Sequence, residues 1–303
     1  MLVIAAPGQG AQKPGFLQPW LELPGVADRL TWWSAVTGLD IVRYGTTADE
    51  EEIRDTAVAQ PLLVAAGLAA AAELDVTPDV AAGHSVGELV AAVLAGVLSA
   101  EAALVFVRER GRAMAGAAAV TETGMTAVLG GRPDDVLAAI DKHDLTPANI
   151  NGAGQIVAAG TLPRLAAFAD DAPAGARLRP LQVAGAFHTE HMLPAADALR
   201  RLVPGMPVAD PRTRLLSNGD GGVVTSGAGY VAHLVDQVSR PVRWDACMTT
   251  MAELGVTGLI ELPPAGTLTG LAKRALPGVE RVALRTPDDL DQARELLRSG
   301  GRA

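Results

Sequence analysis

The stretch Ala81-Ala82-Gly83-His84-Ser85-Val86-Gly87-Glu88 decides how the rest of the chain is read. A short apolar segment, 80–82, runs into a turn with glycines two residues either side of Ser85, and a helix-like apolar run, 89–98, leaves it. That is the G-x-S-x-G pattern of a strand-to-helix nucleophile elbow, whose crowding leaves no room for side chains at Gly83 and Gly87. Such a turn exposes Ser85 and aims the N–H of Val86 and a helix N-terminus at the same point. A serine needs that help, because its hydroxyl is a poor nucleophile until a base removes the proton. Two glycines around a serine also occur by chance, so the pentapeptide alone leaves an ordinary turn open.

The 303 residues suffice for a substantial core, in two structural units or one large α/β domain. Hydrophobic residues make up 49% but aromatics only 3%, so Ala, Val and Leu must fill that core, which favours helices packed closely on a sheet. A net charge of −9 argues against a general nucleic-acid or anionic-membrane binder. The single cysteine, Cys247, excludes an intramolecular disulfide and fits a reducing compartment. The N-terminus lacks a basic segment and its apolar run breaks at Pro7-Gly8, too early for a signal peptide. The apolar run 62–72 falls short of the ~20 residues that span a bilayer. A soluble, cytoplasmic protein is expected.

Segment 2–6 reads as a buried strand ending in the glycine-rich turn Pro7-Gly8-Gln9-Gly10-Ala11-Gln12, where α/β folds place their sites. The turn is neither a phosphate loop nor G-x-G-x-x-G, since no G-K-[ST] follows and Lys13 stands where the third glycine belongs. Helices are expected over 26–36 and as a pair within 48–74, the first started by the acidic residues 49–52 and the second opened by Pro61. Spacing over 100–120 predicts a helix with Leu104, Val107 and Met114 inward and Arg108, Arg110 and Arg112 among polar neighbours. Strand 125–129, helix 133–142, two strands within 147–159, helix 162–169 and strand 178–183 then follow the split βαβ, ferredoxin-like order. Beyond 187, helices near 191–202, 229–238, 245–254, 267–275 and from 287 alternate with strands 214–217, 257–262 and 281–284. The expectation is an α/β fold: a larger α/β-hydrolase-like domain (1–122 and 188–303) with a parallel sheet and the elbow, and an inserted ferredoxin-like domain (123–187).

Five histidines compete for the role of base. His84 adjoins Ser85, where neighbouring side chains point apart, so it lines the pocket or simply packs. His143 lies among Asp141 and Asp144 and reads as solvated, and His233 as structural on its helix. His188 and His191 form an H-x-x-H pair, but no matching Cys or His cluster stands nearby and no metal is expected. His188, where an apolar strand passes into a helix, is the best-placed base.

Taken together, these segments resemble the malonyl-CoA:acyl-carrier-protein transacylase family, the acyltransferases that load fatty-acid and polyketide synthases. Residues 7–12 resemble its P-G-Q-G-[SA]-Q, 83–88 its G-H-S-[LV]-G-E, and 108–114 its R-G-x-x-M segment. Asn149-Ile150-Asn151 with Gly154-Gln155-Ile156-Val157 resembles the N-x-N-x-x-G-Q-x-V hairpin. Ala186-Phe187-His188 resembles A-F-H, 237–244 the Q-x-x-x-P-V-x-W run, and 266–274 the G-x-L-x-G-L-x-K-R segment. Seven motifs in order are far more specific than any one. One departure is Pro263-Pro264, where the family often has a glycine-containing turn.

The resemblance implies Ser85 as the acylated nucleophile and His188 as its base and acid. It implies the N–H groups of Gln9 and Val86 as the oxyanion hole, each donor worth about 10²–10³ in rate. Arg110 would hold the free malonyl carboxylate, a role that suits the guanidinium fork. A backbone carbonyl near Gln237, in place of an aspartate, would orient His188; Asn151 would help position base or substrate. Phe187 would favour malonyl over methylmalonyl. Malonyl-CoA and acyl carrier protein are the implied partners, with no cofactor, nucleic acid or membrane. A local basic cluster must meet the acidic carrier protein on this net-negative chain, and Arg177, Arg179, Lys273 and Arg274 are the expected cations.

Two competing readings come from other classes. A serine esterase or thioesterase of the α/β-hydrolase type shares the elbow, but should carry a carboxylate between nucleophile and histidine and an HGGG-like loop. Residues 134–171 hold candidate carboxylates; no such loop is present. A silent carrier-binding module would need neither Ser85 nor His188.

Overall fold

In the computed structural model, residues 1–300 are described, with side chains through 298. The strands are β1 Leu2–Ala6, β2 Val80–Gly83, β3 Thr123–Gly130, β4 Thr146–Gly152, β5 Gln155–Thr161, β6 Ala176–Pro180, β7 Arg214–Leu215, β8 Val242–Arg243, β9 Gly258–Glu261 and β10 Glu280–Ala283. Five of them form a parallel sheet in the order β10-β9-β1-β2-β7. Its centre, β1, is buried at every residue, as a strand covered by helices on both faces must be. The turns after β1 and β2 lie side by side at the sheet's C-terminal edge, because Ala6 pairs with Gly83.

The second sheet has the order β6-β3-β5-β4-β8, with β3, β4, β5 and β6 joined by antiparallel pairs. Helices Pro133–Lys142 and Leu162–Asp170 complete the β-α-β-β-α-β order of a ferredoxin-like unit. Alternation along β3 divides its faces. Val128 packs with Val136, Ile140 and Phe168 beneath the helices, whereas Met125 and Ala127 turn toward the main core and a cleft beside the elbow. The fifth strand, β8, comes from beyond residue 187 and pairs in parallel with β4 through Asn149–Val242 and Ile150–Arg243. Its two residues are too few to register as a period, and the expected element order did not include it.

Other differences are local. Helix Thr56–Leu74 begins five residues earlier than Pro61 suggested, and Asp55 caps its start by accepting from the Ala57 N–H. Pro61 therefore sits inside the helix and gives up one intrahelical bond. This helix is long and apolar enough to cross a membrane, but sixteen of its nineteen residues are buried in the protein core. Helix Ile41–Thr46, held by an Asp40 cap, has too few residues to show a period and is absent from the expected elements. The strand expected over 178–183 ends at Pro180; residues 181–183 leave the sheet and line the cleft. At the unusual Pro263-Pro264 step the chain turns through Ala265 (φ 48°) and Gly266 (φ 117°). The buried carboxylate of Glu261 accepts from the N–H groups of Gly266, Leu268 and Thr269, holding the start of helix Thr267–Ala275.

Candidate active site

The elbow is as crowded as its pattern demands. A Cβ on Gly83 would lie 2.1 Å from the backbone of Gly87, and one on Gly87 would lie 2.2 Å from the carbonyl oxygen of Ala6. Only glycine fits either place, so β2 and helix Glu88–Leu94 approach closely enough to force Ser85 to φ 52°, a left-handed conformation rare for a side-chain-bearing residue. The Ser85 N–H is held by Asn218 Oδ1 at 2.8 Å, and Asn218 Nδ2 donates to the Gly83 carbonyl at 2.8 Å, so one side chain pins both ends of the turn. The N–H groups of Gln9 and Val86, at the ends of the two adjacent turns, have no hydrogen-bond partner among the described residues.

His188 reaches the nucleophile from the opposite side, its Nε2 2.8 Å from Ser85 Oγ. Its Nδ1 lies 2.8 Å from the main-chain carbonyl of Gln237, which can only accept, so Nδ1 carries the proton and Nε2 its lone pair. The residue itself is held in a left-handed conformation, φ 62°, with its N–H bonded to the Val238 carbonyl. Burial, reinforced by the positive charge of Arg110, pushes the imidazole down to about 3. It is therefore neutral at ordinary pH, the form a general base requires.

Arg110 is not on a solvated face. It shares the buried stripe of helix Ala100–Ala118 with Ala103, Val107 and Met114, and only 2% of its surface is exposed. The next residue, Gly111, lets this helix approach Thr56 closely, and Gln60 of the neighbouring helix reaches the guanidinium. Arg110 Nη1 donates to Gln60 Oε1 at 2.6 Å; Nη2 donates to Gln237 Oε1 at 2.9 Å and Ser85 Oγ at 3.3 Å. Burial lowers its pKa to about 10, against an opposing pull from the carboxylate of Glu88, so it stays charged at neutral pH.

These groups line a cleft of about 350 Å³ between the two sheets. Gln9, His84, Ser85, Val86, Arg110, Asn151, Phe187 and His188 all border it, and Gln237 stands behind. Asn151 spends its hydrogen bonds elsewhere than on His188: its Oδ1 lies 2.8 Å from His84 Nε2, and its Nδ2 donates to Gln155 Oε1. His84, lowered by burial and packed beside Trp244, thus ties the elbow to the small sheet. His143 is half-buried, not solvated; it contacts Asp171 and the edge of Phe168. His233 lies 3.6 Å from Glu88, and no cluster of three or more His, Cys, Asp or Glu suited to a metal occurs among the described residues.

Three contributors were not visible as site residues beforehand. Gln60 stands alone in an apolar helix, and a lone buried polar residue there is a signal that it has a partner. Asn218 and Glu88 carry no such mark, since their partners lie 130 residues apart in the chain.

Residues 7–288 match the acyl transferase domain family. The chain is 52% identical to the malonyl CoA-acyl carrier protein transacylase of Mycobacterium tuberculosis, over 98% of this chain and all of that protein. The Bacillus subtilis protein of the same name is 33% identical, over 96% of each. Among solved structures, MCAT from Mycobacterium tuberculosis superposes with a TM-score of 0.94 at 51% identity, covering 97% of this chain and 99% of that one. A malonyl-transacylase in complex with a type II PKS acyl-carrier protein gives a TM-score of 0.92 at 31% identity, with 97% and 99% covered. By sequence along its whole length and by fold, the chain belongs to the malonyl-CoA:acyl-carrier-protein transacylase family of acyl transferases.

Proposed function

We propose that this enzyme moves the malonyl group from malonyl-CoA to the phosphopantetheine thiol of acyl carrier protein, by way of an ester on Ser85, in fatty-acid or polyketide synthesis. The observation that carries the reading is the 2.8 Å contact between Ser85 Oγ and neutral His188 Nε2, with a buried, charged arginine 3.3 Å from the same oxygen. A base beside a serine suits many acyl transfers. A guanidinium in the pocket suits an acyl group that keeps a free carboxylate.

In the first half-reaction the Ser85 proton passes to His188 Nε2 as Oγ attacks the thioester carbonyl. The Gln9 and Val86 N–H groups receive the oxyanion, and the imidazolium is held by the Gln237 carbonyl. Collapse breaks the C–S bond, and the proton moves from Nε2 to the departing thiol. In the second half His188 takes the proton of the carrier's thiol, whose sulfur attacks the Ser85 ester; the C–O bond breaks and the proton returns to Oγ. Arg110 holds the malonyl carboxylate through both halves, and the chain needs no cofactor.

Residues 123–187 act in this reading as the inserted unit that walls one side of the cleft, against 1–122 and 188–303. Arg177 and Arg179 are exposed on β6, and Lys273 and Arg274 on helix Thr267–Ala275. Strand β6 leads into residues lining the cleft, and the first turns of that helix line it too, which supports assigning these cations to the acidic carrier protein. The reading places the enzyme in the cytoplasm, which its single buried thiol, Cys247, suits.

Intact-mass measurement after mixing with malonyl-CoA tests the proposal. A malonyl adduct on Ser85 that is discharged by carrier protein is expected. Rapid release of free malonate would mark a hydrolase, and no adduct at all would refute the assignment.

A further inference from the structure

Behind the nucleophile the fold buries a carboxylate for which the chemistry above has no task. Glu88, first residue of helix Glu88–Leu94, has no exposed surface. Both of its oxygens accept: Oε1 from the Asn218 main-chain N–H at 2.7 Å, Oε2 from the side-chain amide of Gln237. The other end of that amide, Gln237 Oε1, accepts from Arg110 Nη2. The Gln237 carboxamide therefore stands between a carboxylate, which only accepts, and a guanidinium, which only donates. One of its two orientations bonds both; the other opposes like groups at each end.

We propose that Glu88 is a positioning residue for acyl-group recognition: its carboxylate sets the polarity of the Gln237 side chain, which in turn holds the Arg110 guanidinium beside Ser85. This rests on the reading that Arg110 receives the acyl group's carboxylate. Among the described residues no carboxylate lies within ion-pair distance of Arg110. Glu88 supplies a buried negative charge one side chain away, so the arginine is balanced without being occupied. A carboxylate placed directly on Arg110 would compete with the substrate. His233 Nε2, 3.6 Å from Oε2, is too distant to replace the Gln237 bond.

The variant Glu88→Gln separates charge and polarity from shape. An amide offers one acceptor oxygen where the carboxylate offers two. The Asn218 N–H is fixed, because that residue also holds the Ser85 N–H and the Gly83 carbonyl. The introduced oxygen therefore serves Asn218, and the introduced NH₂ turns toward Gln237. Gln237 Nε2, which also donates to Asn218 Oδ1 at 3.3 Å, then meets a donor at the introduced NH₂, and turning the carboxamide over sets its NH₂ against Arg110; in neither orientation does it still bond both neighbours.

The test is single-turnover acylation of Ser85 in the full chain, followed by intact mass, with malonyl-CoA and acetyl-CoA as donors. In Glu88→Gln the half-saturating malonyl-CoA concentration should rise about tenfold or more, as expected for losing a bond to a charged group. The acetyl-CoA value should move less than about threefold, since acetyl has no carboxylate to position. Equal shifts for both donors, or an unchanged malonyl value, overturn the proposal. If wild type forms no malonyl ester on Ser85, the functional reading fails instead. Should Glu88→Gln not fold, Gln237→Met keeps the main-chain carbonyl that orients His188 and removes the same acceptor. The same selective loss is then expected, and equal loss again overturns the proposal.

Discussion

Replacing Arg110 by alanine should convert an enzyme that reads a carboxylate into one that does not. The wild-type guanidinium is 2% exposed and donates to Gln60, Ser85 and Gln237. A malonyl carboxylate brought into that pocket without its partner is an uncompensated charge, a loss of about 2–5 kcal/mol. At 1.4 kcal/mol per factor of ten, kcat/KM for malonyl-CoA should fall about 30- to 4,000-fold. Acetyl-CoA carries no such charge, so its kcat/KM should hold or improve. The truncation also strands the Gln60 and Gln237 oxygens, each worth about 1–3 kcal/mol of stability. The assay must therefore be the ratio of the two specificity constants measured on one preparation, in which any loss of folded enzyme cancels. A second signature follows from the histidine. The positive charge of Arg110 is the second cause, after burial, of the depressed His188 pKa. Removing it should move the acid limb of the acetyl-transfer profile toward neutral pH. An unchanged malonyl-to-acetyl ratio in a folded Arg110→Ala enzyme would mean that the arginine supports the fold and does not read the substrate.

Four further outcomes are expected. Initial rates at varied malonyl-CoA and carrier protein should give parallel lines, and His188→Ala should lose both half-reactions; intersecting lines with acylation persisting in Ser85→Ala would exclude the ester intermediate. Gly87→Ala would drive a Cβ to 2.2 Å from the Ala6 carbonyl oxygen. It should destabilise by at least the upper end of the about 1–3 kcal/mol typical of an overpacked core, read as a lowered Tm. Phe187 is buried next to the base and lines the cleft, and the proposed reading makes its ring the gate against a C2 methyl. Phe187→Ser should narrow the malonyl-to-methylmalonyl ratio, within the ~10–200-fold a methyl group is worth, and an unchanged ratio would place the gate elsewhere. His188 titrates near 6.5 in an unfolded chain and at about 3 when folded, so between those values the unfolded chain binds the extra proton. Its contribution to stability is complete above pH 6.5 and is lost as pH falls toward 3, about 5 kcal/mol in all. Acid unfolding monitored by circular dichroism should show a shallower slope in His188→Gln than in wild type.

What was legible in the chain divides by range of interaction. The elbow could be read because its cause is local: Gly83, Ser85 and Gly87 lie within one turn, and the steric demand falls on the residues of the motif itself. The helices expected over 133–142 and 267–275 match the observed ones to the residue; Pro133 opens the first, while the Glu261 carboxylate that holds the start of the second is a partner only the fold reveals. The strand β8 could not, because two residues become a strand only when β4 is beside them. Arg110 shows the limit most clearly. In sequence it sits between two exposed-looking arginines, and only the resemblance to a family separated it from them. The 3.6-residue period does place 103, 107, 110 and 114 on one face, but a charge on an apolar stripe has no meaning until its partners are known.

Those partners, Gln60, Gln237 and through it Glu88, come from three separate helices. None is a recognisable signal alone, because a buried charge is tolerated by a network and not by any single residue. The same network explains why the Ser85–His188 pair needs no aspartate here. The Gln237 main-chain carbonyl orients the imidazole without adding a negative charge. A carboxylate in that place would raise the pKa of a histidine that burial and the field of Arg110 hold down, and, on the proposed reading, would compete with the acyl group for that arginine. Distributing the negative charge to Glu88, beyond Gln237, leaves the base neutral and the guanidinium available together.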